Sequence, residues 1–359
     1  MRVATIVGAR PQFIKMAPLS RELRKHFEEV VIHTGQHYDY EMDRIFFEQV
    51  NMPPPDYNLG VGSGFHGYQT GEMLKRIEDV LIKESPDLVI VYGDTNSTLA
   101  GALAAAKLRI RVAHVEAGLR CFDRTVPEEV NRVLTDHISD LLFVPTERAV
   151  KNLYNEGIKN GVYLTGDVML DALLHNITIA EKESKIIQEL GVEAKSYLLV
   201  TVHRAENTDN RARLENIIEC LVKCKRKTIF PIHPRTKAFL EKYSLLDNLK
   251  NADHIILTKP LSYFDMLVLE KNARQIITDS GGVQKEAYSF KTPCITLRKV
   301  TEWPETVEDG LNILVGDDYD LLLDMIWKFE PVGGTYSFRF GYGDASSRVV
   351  QIMKNILCA

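Results

Sequence analysis

The segment Gln275-Ile276-Ile277-Thr278-Asp279-Ser280-Gly281-Gly282-Val283-Gln284-Lys285-Glu286 turns from a strand pattern to a helix pattern within a few residues. Its opening is short, largely apolar and β-branched, which reads as a buried parallel strand. Val283 to Ala287 reads as a helix start, and Ser280 stands where it can cap that helix. Gly281 and Gly282 remove the side chains that would keep a ligand off the backbone. Free N–H groups and the positive end of the helix dipole then point at one spot, which suits a phosphate. Glu286 lies about one helical turn in, on the side where a ribose attached to that phosphate would offer its hydroxyls. An ordinary strand–turn–helix, with glycines kept for tight packing, fits the same residues. The rest of the chain has to choose between the two.

The same alternation runs outward in both directions. β-Branched runs at Val3–Val7, Val30–His33, Leu88–Tyr92, Val112–Val115, Leu141–Val144 and Val162–Leu164 mark the first half. Tyr197–Val202, Thr228–Ile232, Ile255–Leu257, Gln275–Thr278, Cys294–Leu297 and Ile313–Val315 mark the second. Helical patterns separate them, so each half predicts βα units. The expected class is α/β, with two Rossmann-like doubly wound domains around mainly parallel sheets. The seam is expected after Gly166-Asp167, since Asp171–Leu190 reads as a charged helix with no strand. Ser346–Ile356 is amphipathic and is expected to pack on a core. Gly62-Ser63-Gly64-Phe65-His66-Gly67 is formally GxGxxG, but a proline-rich loop precedes it in place of a clear strand, so it predicts a surface loop.

Composition bounds the function. The chain has 359 residues, 45% hydrophobic and 26% charged, as in an ordinary two-domain globular protein. A net charge of −5 suggests no nucleic-acid partner. No apolar run approaches the roughly 20 residues of a membrane span. Met1-Arg2 runs straight into a strand without a cleavage-site pattern, and five scattered cysteines fit a reducing compartment. The cytoplasm is therefore expected. Cys220 and Cys224 share a helix face, but nothing nearby completes a zinc site, and no metal is expected.

Ligands of open α/β sheets bind beyond the carboxyl ends of the strands. There the first half offers Arg10 and Lys15, Gln36 and His37, Asp94, and His114-Val115-Glu116. The second half offers His203-Arg204, His233, the Ser280-Gly281-Gly282 turn and Arg298. If the two edges face each other, they make a polar cleft. One set is cationic and suits a diphosphate: Arg10, Lys15, His203, Arg204 and His233. The other is anionic: Asp94, Glu116 and Glu128, candidates for acid and base. Each has a plainer reading. Asp94 can cap the helix opening near Asn96, His233 can be a satisfied loop histidine, and Glu128-Glu129 can be a first-turn dipole pair.

The joint pattern is more specific. Gly8-Ala9-Arg10-Pro11-Gln12 with Lys15, Gly93-Asp94-Thr95, His114-Val115-Glu116-Ala117-Gly118-Leu119-Arg120, Pro127-Glu128-Glu129-Val130-Asn131-Arg132, His203-Arg204-x-Glu206-Asn207, and Asp279-Ser280-Gly281-Gly282-Val283-Gln284-x-Glu286 resemble the non-hydrolysing UDP-N-acetylglucosamine 2-epimerases. The match runs from first strand to last helix. It implies the glycosyltransferase-B architecture, with the last helix returning to the N-terminal domain. Residues 1–167 with 345–359 would form one domain and 168–344 the other. It implies interconversion of UDP-N-acetylglucosamine and UDP-N-acetylmannosamine by anti elimination of UDP, through bound 2-acetamidoglucal.

By the same resemblance, Asp94, Glu116 and Glu128 are acid/base candidates, and His203 is a catalytic candidate near the diphosphate that assists proton transfer. Arg10, Lys15, Arg132, His233, Ser280, Gly281, Gly282 and Arg298 would hold UDP and the sugar, with Glu286 on the ribose. Gln36, His37, Gln69 and Glu206 match a second, activating nucleotide-sugar site of bacterial members, although Tyr68 stands where arginine is expected. Trp303 replaces an arginine common in bacterial forms. No metal or nicotinamide cofactor is implied, and a homodimer is. Three rivals remain: a glycosyltransferase using the same cleft, a hydrolysing epimerase, and a non-catalytic sensor. Phe65-His66-Gly67-Tyr68 is too polar for a transferase acceptor patch, and a pure binder of an anion gains nothing from three carboxylates.

Overall fold

The computed structural model describes residues 1–36, 52–331 and 337–357. The chain divides into two compact units, Met1–Leu174 with Phe338–Ala359, and His175–Ser337. Each is built on one wholly parallel sheet.

In the first unit the strands are β1 (Arg2–Val7), β2 (Glu28–His33), β3 (Tyr57–Asn58), β4 (Leu88–Tyr92), β5 (Arg111–Val115), β6 (Leu141–Val144) and β7 (Val162–Leu164), in the order β3-β2-β1-β4-β5-β6-β7. The β-branched runs are buried on both faces, as parallel strands flanked by helices must be. The helix Asn96–Lys107 packs against both His66–Glu84 and Pro127–Ile138. Its Ala100, Ala102, Ala104 and Ala105 are buried, and such small side chains let three helices come close.

The second unit carries β8 (Leu198–Thr201), β9 (Thr228–Pro231), β10 (Ile255–Thr258), β11 (Gln275–Thr278), β12 (Cys294–Thr296) and β13 (Asn312–Leu314), in the order β10-β9-β8-β11-β12-β13. Its core joins Leu198, Val200, Phe230, Ile277 and Ile295 of the sheet to Leu214, Ile217 and Leu221 of the helix Arg211–Lys223.

All twelve expected strands form, with ends moved by at most two residues. β3 is additional: it pairs Tyr57 with Ile32 just past the proline loop, and two residues are too few to show a period. His66 and Gly67, expected in a loop, make the first turn of the helix His66–Glu84. The first unit also takes in the start of the helix Val168–Glu183 and residues from Phe338 onward, where 168–344 was expected to belong wholly to the second. Hydrogen bonds account for this. Asp167 N–H donates to Phe340 O, and the buried Asp171 carboxylate accepts from the N–H groups of Ala345 and Ser346. The helix Ala345–Leu357 then packs on Arg10–Leu23.

Candidate active site

Each sheet order reverses once, between β1 and β4 in the first unit and between β8 and β11 in the second. Such switch points leave a crevice at the carboxyl ends of the strands. Of the expected site residues, Lys15, Asp94 and Glu116 stand by the first, and His203, Ser280 and Gly281 by the second.

At the first switch point Gln12 joins the two strand ends. Its Oε1 accepts from Gly8 and Ala9 N–H, and its Nε2 donates to Tyr92 O and Thr98 Oγ1. Gly93 follows β4 with φ +61, a left-handed turn that glycine adopts without strain. Asp94 comes next. It does not cap the following helix: Thr95 does, accepting from Thr98 N–H. The Asp94 carboxylate instead accepts from Arg132 Nη2 at 2.6 Å, and its backbone carbonyl from Asn131 Nδ2 at 2.9 Å. Both donors come from Pro127–Ile138, so that helix fixes where the carboxylate points.

Glu116 follows β5 and is buried, with φ +72. A non-glycine residue there costs on the order of 1–3 kcal/mol and persists only where its surroundings impose it. The N–H groups of Glu116 and Ala117 both donate to Phe143 O. Lys15 forms a short ion pair with the Glu116 carboxylate, and a Cβ on Gly93 would lie 3.2 Å from both partners' charged atoms. Lys15, Glu116 and the Asp94 turn are thus one cluster.

The two glutamates of Pro127–Ile138 separate in role. Glu128 is exposed. Glu129 is buried and accepts from Cys121 N–H, Phe122 N–H and Arg132 Nη1. Burial works against its ionisation, but those N–H groups and the Arg132 guanidinium outweigh it and hold the carboxyl below the ordinary range. Gln36 and Gln69 are engaged within the unit. Gln36 Oε1 accepts from Ser97 N–H and Oγ, while Gln69 donates to Gly62 O and accepts from Asn96 Nδ2. His37 and the Arg10 side chain lie outside the described residues.

At the second switch point Asp279 is fully buried. Its carboxylate accepts from the N–H groups of His203 and Arg204 and from Asn207 Nδ2, all at 3.0–3.1 Å, and His203 Nδ1 lies 3.4 Å away. The β8 exit is thereby tied to the β11 exit. Ser280 occupies the N-cap of Gly281–Ser289, but its hydroxyl makes no capping bond, contrary to expectation. The turn is held by Ser280 N–H on Thr278 Oγ1.

Gly281 and Gly282 have no positive φ. A Cβ on Gly281 would meet nothing nearer than Glu302 Oε2 at 3.4 Å, and one on Gly282 only Ser280 Oγ at 3.8 Å. These are ordinary contacts, so tight packing does not explain the glycines. They leave the first helical turn accessible, as the expected phosphate site would require. Gly281→Ala is therefore expected to leave stability within about 1 kcal/mol. If the turn holds UDP as the resemblance implies, the same change should weaken UDP binding roughly tenfold or more, about 1.4 kcal/mol of lost contact. Calorimetric titration with UDP beside a thermal melt separates the two effects.

His203 and His233 rings lie 5.5 Å apart. His233 is the N-cap of Pro234–Lys242, its Nδ1 accepting from Arg235 N–H. Burial, with the neighbouring His203, pushes its pKa down. Arg298 is paired with Glu302 at 2.7 and 3.0 Å and lies 3.5 Å from Glu206. Glu286 is buried, with Tyr263 Oη 3.4 Å away. Beside it lies Glu270, whose carboxyl is pushed up by burial and by the Glu286 charge. Trp303 carries the Lys285 ammonium 4.0 Å from its ring centroid, a cation–π pair. Asp136 and Glu270 have no signal in the sequence: Asp136 looks like an ordinary polar residue of an amphipathic helix, and Glu270 like one near the end of an apolar helix.

The UDP-N-acetylglucosamine 2-epimerase family profile matches residues 21–354. A Methanococcus maripaludis protein named UDP-N-acetylglucosamine 2-epimerase homolog is 59% identical, over 99% of this chain and 100% of its own. A Pseudomonas aeruginosa UDP-2,3-diacetamido-2,3-dideoxy-D-glucuronate 2-epimerase is 43% identical, over 99% and 100%. The crystal structure of Methanocaldococcus jannaschii UDP-GlcNAc 2-epimerase in complex with UDP-GlcNAc and UDP is 50% identical, covers 99% of this chain and 100% of its own, and has a TM-score of 0.89. With its two Rossmann-like domains of the glycosyltransferase-B class, the chain belongs to the UDP-N-acetylglucosamine 2-epimerase family.

Proposed function

We propose that this protein interconverts UDP-N-acetylglucosamine and UDP-N-acetylmannosamine. A carboxylate takes the C2 proton. The C2–H pair becomes the C1=C2 bond of 2-acetamidoglucal, and the C1–O pair leaves with UDP. Reprotonation of C2 on the other face and re-addition of UDP at C1 give the epimer. The C2 proton is weakly acidic, so the base must be well aligned and the leaving group stabilised. Asp94 and Glu116 at one switch point support this reading most strongly: each is gripped from several sides, as an acid/base pair needs to be. His203, Ser280, Gly281 and Gly282 would hold the diphosphate, with Arg10 and Lys15, and Glu286 the ribose.

The Pseudomonas relative's named substrate shares the reaction centre, a UDP-bearing C1 beside an acetamido-bearing C2. The hydrogen bonds of Gln36 and Gln69 give both residues a structural role, and an activating site involving them would have to displace those bonds. Among the described residues no helix is long and apolar enough to cross a membrane. We place the protein in the cytoplasm as a homodimer. Exposed Val130 and Leu134, one turn apart on Pro127–Ile138, offer apolar surface to a second copy.

Incubation with UDP-N-acetylglucosamine in heavy water, without acceptor, tests the reaction. Deuterium should appear at C2 of both epimers, with no net UDP release at equilibrium. Quantitative release of free sugar would point to a hydrolase, and no exchange at all to a transferase or sensor.

A further inference from the structure

His114 is fully buried on β5, and both its ring nitrogens are engaged. Nε2 lies 2.7 Å from Gly93 O, the carbonyl just before Asp94. A carbonyl only accepts, so Nε2 carries the hydrogen. Nδ1 lies 2.7 Å from Asp136 Oδ1. The other oxygen of Asp136 accepts from Gly118 N–H at 3.1 Å and from Arg120 Nη1 at 2.7 Å. Gly118 ends the turn that carries Glu116. Arg120 is itself clamped by Glu156 through two contacts of 2.7 Å. Burial would raise the Asp136 carboxyl, but His114 and Arg120 outweigh it and hold it below the ordinary range. One inaccessible carboxylate therefore reaches the turn after β4 by way of His114 and the turn after β5 directly.

We propose that Asp136 is a positioning residue for the reaction: through His114 and the Gly118 N–H it fixes the two turns that present Asp94 and Glu116. This rests on the epimerase reading. Asp136 touches no substrate atom, and its effect is on alignment, where a displacement of about 1 Å can cost roughly 100-fold in rate. An asparagine can keep the whole network. Its oxygen would accept from Arg120 and Gly118, while its NH₂ donates to Nδ1 and Nε2–H stays on Gly93 O. An alanine cannot.

Asp136→Ala should lower kcat per folded molecule about 100-fold, with UDP affinity within about threefold, and Asp136→Asn should stay within about fivefold of wild-type kcat. Nitrogen-15 spectra of histidine-labelled protein should show His114 Nε2 protonated in wild type and in Asp136→Asn, with Nδ1 bare only in the variant. A purely structural role would lower the folded fraction of Asp136→Ala and leave its kcat intact, which overturns the proposal. Equal damage from asparagine and alanine, or a bare Nε2 in wild type, overturns it too, and the last holds even if the alanine variant does not fold. If wild type exchanged no deuterium, the functional reading would fall, while the His114 signature would still report on the network.

Discussion

Asp94→Asn and Glu116→Gln are each expected to lower C2 deuterium exchange by about 10³-fold or more, with UDP affinity nearly unchanged. Either carboxamide keeps the size of the side chain and loses its basicity. Asparagine at 94 can still accept from Arg132, and the Asn131 bond to the backbone is untouched, so the turn should hold. Glutamine at 116 leaves the left-handed backbone as it is and gives Lys15 a neutral partner. Both residues belong to the first unit, whereas the glycine turn expected to hold UDP belongs to the second. Turnover and nucleotide binding should therefore separate. Wild-type exchange in both variants would remove the acid/base assignment. Equal loss of UDP affinity would recast the pair as binding residues.

Asp279→Ala should cost about 4 kcal/mol of stability in the second unit. Alanine leaves the part-buried His203 and Arg204 N–H groups without this acceptor and Asn207 Nδ2 with Leu297 O alone, each lost partner worth about 1–3 kcal/mol. Both tryptophans of the chain, Trp303 and Trp327, lie in this unit, so their fluorescence in urea reports its unfolding selectively. The midpoint should fall sharply, and UDP binding with it, because the β8 and β11 exits lose their tie. A midpoint unmoved by the substitution would mean that water or a shifted backbone replaces the carboxylate.

Much of this was legible in the sequence because parallel sheets write themselves plainly. A strand buried on both faces must be apolar throughout, so runs such as Leu88–Tyr92 and Gln275–Thr278 stand out. The polar residues just beyond them then fall at the crevice by topology. What stayed hidden depends on partners distant in sequence. Asp94 reads as a possible helix cap on paper, yet Thr95 takes that place, and Arg132, far along the chain, decides that Asp94 is used elsewhere. Asp136 becomes informative once Pro127–Ile138 is laid against β5, and Glu270 once its helix meets Glu286. The glycines at 281 and 282 ran the other way: a familiar pattern became evidence when their surroundings proved roomy.

The helix Ala345–Leu357 packs on Arg10–Leu23, so the amino-terminal body is completed by residues translated after the whole of the second unit. On the ribosome its first helix would wait, one side uncovered, while His175–Ser337, made from one continuous stretch, can already settle. The body that starts first is then the one that finishes second, and a stalled or clipped nascent chain would expose the half that carries Asp94 and Glu116 while sparing the other.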